Sequence, residues 1–134
     1  MKTLVIGAAI IDIIMKIKRL PKSGEDILCS ETVSTVGGCA YNVAGTLRGF
    51  GVDHDLFVPV GRGMYGDMIA GDLEKLGYQI LIREEESDNG YCLCLVEEDG
   101  ERTFITVKGA EGRFRPSWFE QLSQDAYDSI YVAG

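Results

Sequence analysis

The chain has 134 residues, a formal net charge of -8, 46% hydrophobic residues and 25% charged residues. That length suffices for one domain with a core, and the mixture is that of a globular chain rather than a disordered or fibrous one. The negative charge excludes a polyanion-binding surface unless a local basic patch overrides it, and the densest basic run, Lys16, Lys18, Arg19 and Lys22, reads as a solvated strand end, so no nucleic-acid partner is expected.

Lys2 followed by the apolar stretch Thr3–Ile11 looks at first like a signal peptide. Asp12 interrupts it, no small-residue cleavage site follows, and the stretch is too short to span a bilayer. A buried strand, a cytoplasmic location and no membrane partner are the expectation. Leu4–Ile6 with Gly7 reads as a central parallel strand, and the β-branched run Ile13–Ile17 continues in strand conformation. Pro21–Gly24 is a loop, and Ile27–Val36 favours a strand.

Gly37-Gly38 breaks the chain ahead of a helix in which Ala40, Val43, Ala44 and Leu47 share a face and Gly49 or Gly51 is the stop. Leu56–Val60 reads as a strand despite Pro59. Asp67 is placed to cap a second helix whose apolar face is Ile69, Leu73 and Leu76, and Gln79–Ile82 reads as a strand. Tyr91–Val96 and Arg102–Val107 flank an Asp99-Gly100 turn and predict a hairpin. Pro116 opens a short helix through Leu122, and Ile130–Val132 reads as a buried strand. Alternation of strands and helices predicts an α/β fold, with a parallel central sheet flanked by helices and a small antiparallel β lid.

Seventeen glycines fit both tight βα turns and close backbone approach to a ligand. The four cysteines, Cys29, Cys39, Cys92 and Cys94, lack the ligand spacing of a zinc site and read as reduced thiols, so no metal site is assigned. Cys92 and Cys94 share one strand face, toward either substrate or core. The informative stretch is Gly37-Gly38-Cys39-Ala40-Tyr41-Asn42. A glycine pair at a helix start leaves backbone N–H groups facing outward, and an Asn side chain offers both donors and an acceptor to hydroxyls. By residue type alone, a plain glycine turn with an Asn near a helix start is the better explanation.

Gly37, Gly38, Ala40, Asn42, Ala44, Gly51 and Gly61 stand at the distances of the N-terminal signature of the ribokinase (phosphofructokinase-B) family, which the chain resembles over about residues 3–134. The stretch Gly7–Asp12 resembles the family's first strand, Pro21-Lys22-Ser23-Gly24-Glu25 its Pro-x-x-Gly-Glu loop, and Glu98–Phe104 its lid hairpin. The resemblance implies a ribokinase-like fold over residues 1–134, with lid segments near 13–36 and 90–108. It implies an ATP-dependent sugar kinase using Mg2+, with Asp12, Gly37, Gly38 and Asn42 on the substrate and Cys92 and Cys94 as lid contacts. A homodimer through the lid sheet is also implied.

Ile10 stands where ribokinase itself carries an Asn used on the sugar, which argues against ribose. A nucleoside kinase of the same family remains open. The family's Gly-Ala-Gly-Asp motif, which carries the catalytic base, has only an echo in Ala70-Gly71-Asp72; Ile69 replaces its first glycine, and the segment lies in an amphipathic helix. The expectation is therefore a substrate-binding half with no catalytic residue and no nucleotide site of its own, inactive alone, either a fragment of a longer protein or a natural truncation. Two readings of other classes stand beside it. One is a non-catalytic binding module. The other is a dinucleotide-binding domain, because Gly61-x-Gly63-x-x-Gly66 follows a strand and opens a helix, with a strand and Glu84 beyond.

Overall fold

The computed structural model describes residues 1–134. In chain order the elements are β1 (Thr3–Ile6), β2 (Ile10–Lys16), β3 (Glu31–Gly37), α1 (Cys39–Gly49), β4 (His54–Phe57), β5 (Pro59–Val60), α2 (Met64–Lys75), β6 (Ile82–Arg83), β7 (Tyr91–Val96), β8 (Arg102–Val107), α3 (Pro116–Phe119) and β9 (Ser129–Val132), with short 3-10 turns at Ala110–Gly112 and Gln124–Ala126. The main sheet has the order β4-β1-β9, all parallel. One residue past β4, β5 pairs in parallel with β6. The second sheet has the order β3-β2-β7-β8.

The core lies between the main sheet and the helices. Val5, Leu56, Val58 and Val60 from the strands meet Ala40 and Ala44 of α1 and Ile69, Ala70 and Leu73 of α2. Small residues on α1 let that helix approach the sheet closely, while α2 brings the larger side chains. Each fully buried large apolar side chain of this group contributes about 1.5–3 kcal/mol of transfer free energy. Ile11 of β2 is fully buried in the same cluster, with Ile13, Val36 and Tyr91 packed against it, so one face of the second sheet joins the core.

Several sequence expectations change here. The lid is a mixed sheet, not an antiparallel one: β2 pairs with β7 in parallel, Asp12 beside Cys92. Both strands leave the body in the same direction, so they meet in parallel, while β3 and β8 return antiparallel at the edges. Ile10–Lys16 is a separate strand of this lid rather than a prolongation of β1, because the chain leaves the main sheet at Gly7–Ala9. Residues 27–30 are outside β3. Val58 separates β4 from β5, and only Ile82–Arg83 forms a strand where 79–82 was expected. Asp67 is not the cap of α2, which starts at Met64 after Gly63. The third helix ends at Phe119 rather than Leu122. Finally, β9, which reads as a buried strand, is the last strand of the given chain and pairs on one side only, with β1, so Ile130 is 63% and Val132 71% accessible.

A short strap, Asp88-Asn89-Gly90, joins these parts. Asn89 is buried, and its amide group makes three bonds. Nδ2 donates to the carbonyls of Pro59 (2.9 Å) and Ala9 (3.2 Å), and Oδ1 accepts from the N–H of Gly61 (2.7 Å). It thereby links the β1–β2 crossing, β5 and the glycine turn before α2. Asp88 caps α2 from a distance: its carboxylate accepts from the N–H groups of Gly66 (2.7 Å) and Tyr65 (3.2 Å). This interaction replaces the missing local cap. Truncating Asn89 leaves three buried backbone groups unpaired. Asn89→Ala is expected to lower unfolding free energy by about 3 kcal/mol, read by urea denaturation; a loss within the usual surface range would show that water replaces the amide.

Candidate substrate site

The register of the second sheet places four side chains in one row across it: Thr35 on β3, Asp12 on β2, Cys92 on β7 and Thr106 on β8. Residues opposite one another in a ladder share a face, and the Thr106 hydroxyl lies 3.4 Å from the Cys92 sulfur to which it donates. The next row outward is apolar, Val33, Ile14, Cys94 and Phe104, and the one beyond it carries the Lys16–Glu31 ion pair (2.7 Å). This face is opposite the one that packs on the core through Ile11, Ile13 and Tyr91. Asp12 sits just past the carboxyl end of β1, where α/β sheets bind ligands. It is partly buried, and burial pushes its carboxyl above the usual aspartate range, with no hydrogen bond or cation to offset the cost.

Gly37 ends β3 directly against this carboxylate. A Cβ at position 37 would lie 2.0 Å from Asp12 Oδ2, so only glycine leaves the carboxylate its position. Gly38 has φ +103°, and a Cβ there would meet the Ala8 carbonyl oxygen at 2.6 Å. The pair thus seats Asp12, lets the chain turn against the β1–β2 crossing, and opens α1, whose N-terminus no side chain caps. Asn42 lies one turn into α1; its N–H donates to the Gly38 carbonyl (3.0 Å), and its side chain is exposed beside Tyr41, Gly45 and Thr46.

The structure therefore brings Asp12, Gly37 and Cys92 together, with Gly38 adjoining. Cys94 lies one row further along the same strand, and no hydrogen bond joins Asn42 to the carboxylate. All four cysteines are free thiols; Cys92 and Cys94 are buried between longer neighbours on the Asp12 side of the sheet. Thr35 and Thr106 were not singled out from sequence. The only signal that finds them is their register opposite Asp12 and Cys92, and that depends on the β2–β7 pairing.

The loop of Pro21–Glu25 closes on itself at the lid's outer end. Arg19 donates to both Glu25 oxygens (2.7 and 2.6 Å), and this pairing, with the Lys22 N–H, holds the Glu25 carboxyl down to about 2. The roomiest cavity, about 570 Å3, lies at the start of β4 around His54, Asp55 and Tyr78. That is the amino end of the sheet, away from Asp12, and no buried polar side chain there lacks a partner. A hollow of about 400 Å3 lies at the carboxyl ends of β1 and β9, lined by Ile6, Phe114, Phe119 and Val132.

The geometry removes the dinucleotide reading. In that motif the free N–H groups at the helix start receive a pyrophosphate. At α2 those of Tyr65 and Gly66 already hold the Asp88 carboxylate. Glu84, the candidate ribose partner, is 5% exposed and ion-paired to Arg115 at 2.8 Å. Asp72 of the Ala70-Gly71-Asp72 echo accepts from the Tyr41 hydroxyl across the helix pair, an arrangement that, after burial, raises that phenol to about 12. No three His, Cys, Asp or Glu side chains stand together as metal ligands. No helix is long and apolar enough to cross a membrane.

Comparison with known proteins agrees with this architecture. The family described as pfkB family carbohydrate kinase matches residues 1–134. The uncharacterized sugar kinase YegV of Escherichia coli is 39% identical over 131 residues, which span 98% of this chain and 41% of that protein. A ribokinase of Arabidopsis thaliana is 28% identical over 97% of this chain and 35% of its own length. Among solved structures, ribokinase from Giardia lamblia superposes with a TM-score of 0.87 at 25% identity, over 98% of this chain and 44% of that one. The chain thus spans less than half the length of these relatives. On the match over its whole length, this chain belongs to the pfkB family of carbohydrate kinases.

Proposed function

We propose that this chain is the sugar-binding part of an ATP-dependent kinase that transfers the γ-phosphate to a sugar hydroxyl, and that Asp12 holds the sugar. The observation that carries this reading is the partly buried Asp12 carboxylate with no partner in the chain, at the carboxyl edge of a parallel sheet. A desolvated carboxylate needs donors, and hydroxyls supply them. Gly37 and Gly38 keep the approach free of side chains, the start of α1 offers backbone N–H groups, and Cys92 and Thr106 form the adjoining wall. Asn42, exposed one turn into α1, is assigned to the site on the glycine-Asn spacing it shares with the family. A solved Arabidopsis ribokinase of 25% identity and TM-score 0.75, described as complexed with ribose and ATP, supports the substrate class.

Sign matters for the pH dependence. Asp12 has a folded pKa above its unfolded value, so the free protein gains stability as pH falls through the folded pKa toward the unfolded one. Sugar affinity moves the other way, because the protonated carboxyl accepts less well. Asp12→Asn is expected to weaken sugar binding by about tenfold to a hundredfold and to flatten its dependence on acid pH. Calorimetry with a panel of sugars and nucleosides reads both; a variant with unchanged affinity removes Asp12 from the site.

The residues described here do not fit Mg–ATP. The α2 N-terminus is filled by Asp88, and no cluster of acidic ligands stands ready for a metal. Phosphoryl transfer also requires a base for the attacking hydroxyl and groups to stabilise the transferred charge. We therefore assign this chain the sugar side of the reaction only. The purified 134-residue chain is expected to show no ATP turnover with any sugar or nucleoside; turnover above a no-substrate control would overturn that assignment.

A second copy is the proposed cover for the lid. Val33 (49% accessible) and Phe104 (57%) lie on the Asp12 face, and Ile105 (52%) and Val107 (42%) on the other face of the edge strand β8. Apolar side chains grouped on one sheet mark an interaction surface, and an open strand edge needs protection. Light scattering is expected to give twice the monomer mass, falling to the monomer in Phe104→Glu; a monomeric parent would refute the dimer.

A further inference from the structure

The β7–β8 hairpin leaves the body at Gly90 and rejoins it at Gly109. At these two positions backbone lies directly on backbone. A Cβ at Gly90 would stand 2.2 Å from the Val107 carbonyl oxygen, and one at Gly109 would stand 2.4 Å from the N of Gly90 and 2.4 Å from the Asp88 carbonyl oxygen. One side chain fills this junction. Glu111 is 8% exposed, and its two carboxylate oxygens are divided between the two legs of the hairpin. Oε2 accepts from the N–H of Gly90 (2.8 Å), and Oε1 accepts from the N–H of Gly109 (2.9 Å). The neighbouring Ala110 N–H donates to the Asp88 carbonyl (2.8 Å), which ties the same junction to the cap of α2.

A buried carboxylate in a kinase invites other assignments. A proton-transfer role is disfavoured because both oxygens are already engaged by fixed backbone donors. A metal-binding role lacks further ligands nearby. A structural ion pair has no cation, since the partners of Glu111 are backbone N–H groups. What remains is a bracket that needs two acceptors at once. An amide side chain offers one oxygen only and would turn its NH2 group against the second N–H.

We propose that Glu111 is a positioning residue: its carboxylate brackets both legs of the β7–β8 hairpin at their root and so sets where Cys92 and Thr106 stand relative to Asp12. The link is short. Cys92 lies two residues beyond Gly90, and Thr106 three residues before Gly109, with Cys92 in register between Asp12 and Thr106. A small rotation at the root therefore moves the wall of the site as a unit. The effect on substrate rests on the sugar-site reading above; the bracket itself does not.

The test compares the parent protein with Glu111→Gln and Glu111→Ala by amide hydrogen exchange and by mass-spectrometric mapping of iodoacetamide labelling. Amides of residues 90–109 are expected to exchange at least about tenfold faster in Glu111→Gln, with those of β1 and β4 unchanged. Cys92 and Cys94 are expected to label faster, with Cys29 and Cys39 at parental rates. Sugar affinity measured by calorimetry is expected to fall about tenfold without loss of the one-to-one stoichiometry. Equal acceleration in β1 and β4 would reduce Glu111 to a general packing residue, and parental exchange in Glu111→Gln would refute the bracket. If Glu111→Ala unfolds, the Gln variant alone decides. If the parent binds no sugar or nucleoside, the sugar-site reading fails, while exchange and labelling still decide the bracket.

Discussion

The amide of Asn89 is the interaction on which the other parts of this molecule depend. Backbone groups from two stretches distant in sequence end on it: Ala9 from the β1–β2 crossing, and Pro59 and Gly61 from β5 and the turn into α2. Each residue contributes a backbone group that burial would otherwise leave unpaired, at a cost of about 1–3 kcal/mol apiece. An amide suits this place because the three groups comprise two acceptors and one donor. A carboxylate could not serve two carbonyls, and an apolar side chain would serve none. The residues on either side extend the same device, with Asp88 on the α2 N–H groups and Gly90 on Glu111.

That arrangement explains how a small sheet can stand off a parallel one without a linker. The lid has no hydrophobic core of its own on the Asp12 side, where polar, apolar and charged rows follow one another outward. Its inner face, through Ile11, Ile13 and Tyr91, borrows the core of the body, and the Tyr65 and Tyr91 rings pack at 5.1 Å across the boundary. Held by one face and by its roots, the second sheet leaves the Asp12 face turned away from the core. The Asp12 carboxylate is the energetic counterpart: it is partly desolvated, with no hydrogen bond or cation in the chain to offset the cost.

Much of this was legible in the sequence, and for identifiable reasons. The Gly37-Gly38 pair signals a special backbone conformation because no other residue can occupy it, and the φ of +103° at Gly38 is the result. The helices were legible because Ala40, Ala44, Ile69 and Leu73 repeat at helical spacing. The hairpin was legible because Asp99-Gly100 specifies a turn, with Gly100 at φ +88°. Spacing of the glycines and Asn42, not their types, pointed to the family. The helix start at Met64 was missed because its cap, Asp88, comes from another loop, and no local pattern announces a cap supplied from twenty-odd residues away.

By itself, then, the sequence determined the elements, their alternation, the family and the candidacy of Asp12, since these rest on local periodicity, turn chemistry and short-range spacing. Tertiary structure alone decided three things. It paired β2 with β7 in parallel, which put Cys92 and Thr106 beside Asp12. It gave the glycine-rich turn before α2 to Asp88 rather than to a phosphate. It also carried Glu111 to the root of the β7–β8 hairpin, where its carboxylate accepts from Gly90 and Gly109. Each is a matter of which distant segments meet. The free energy of such meetings depends on register, direction and unpaired backbone groups, and no window of neighbouring residues contains that information.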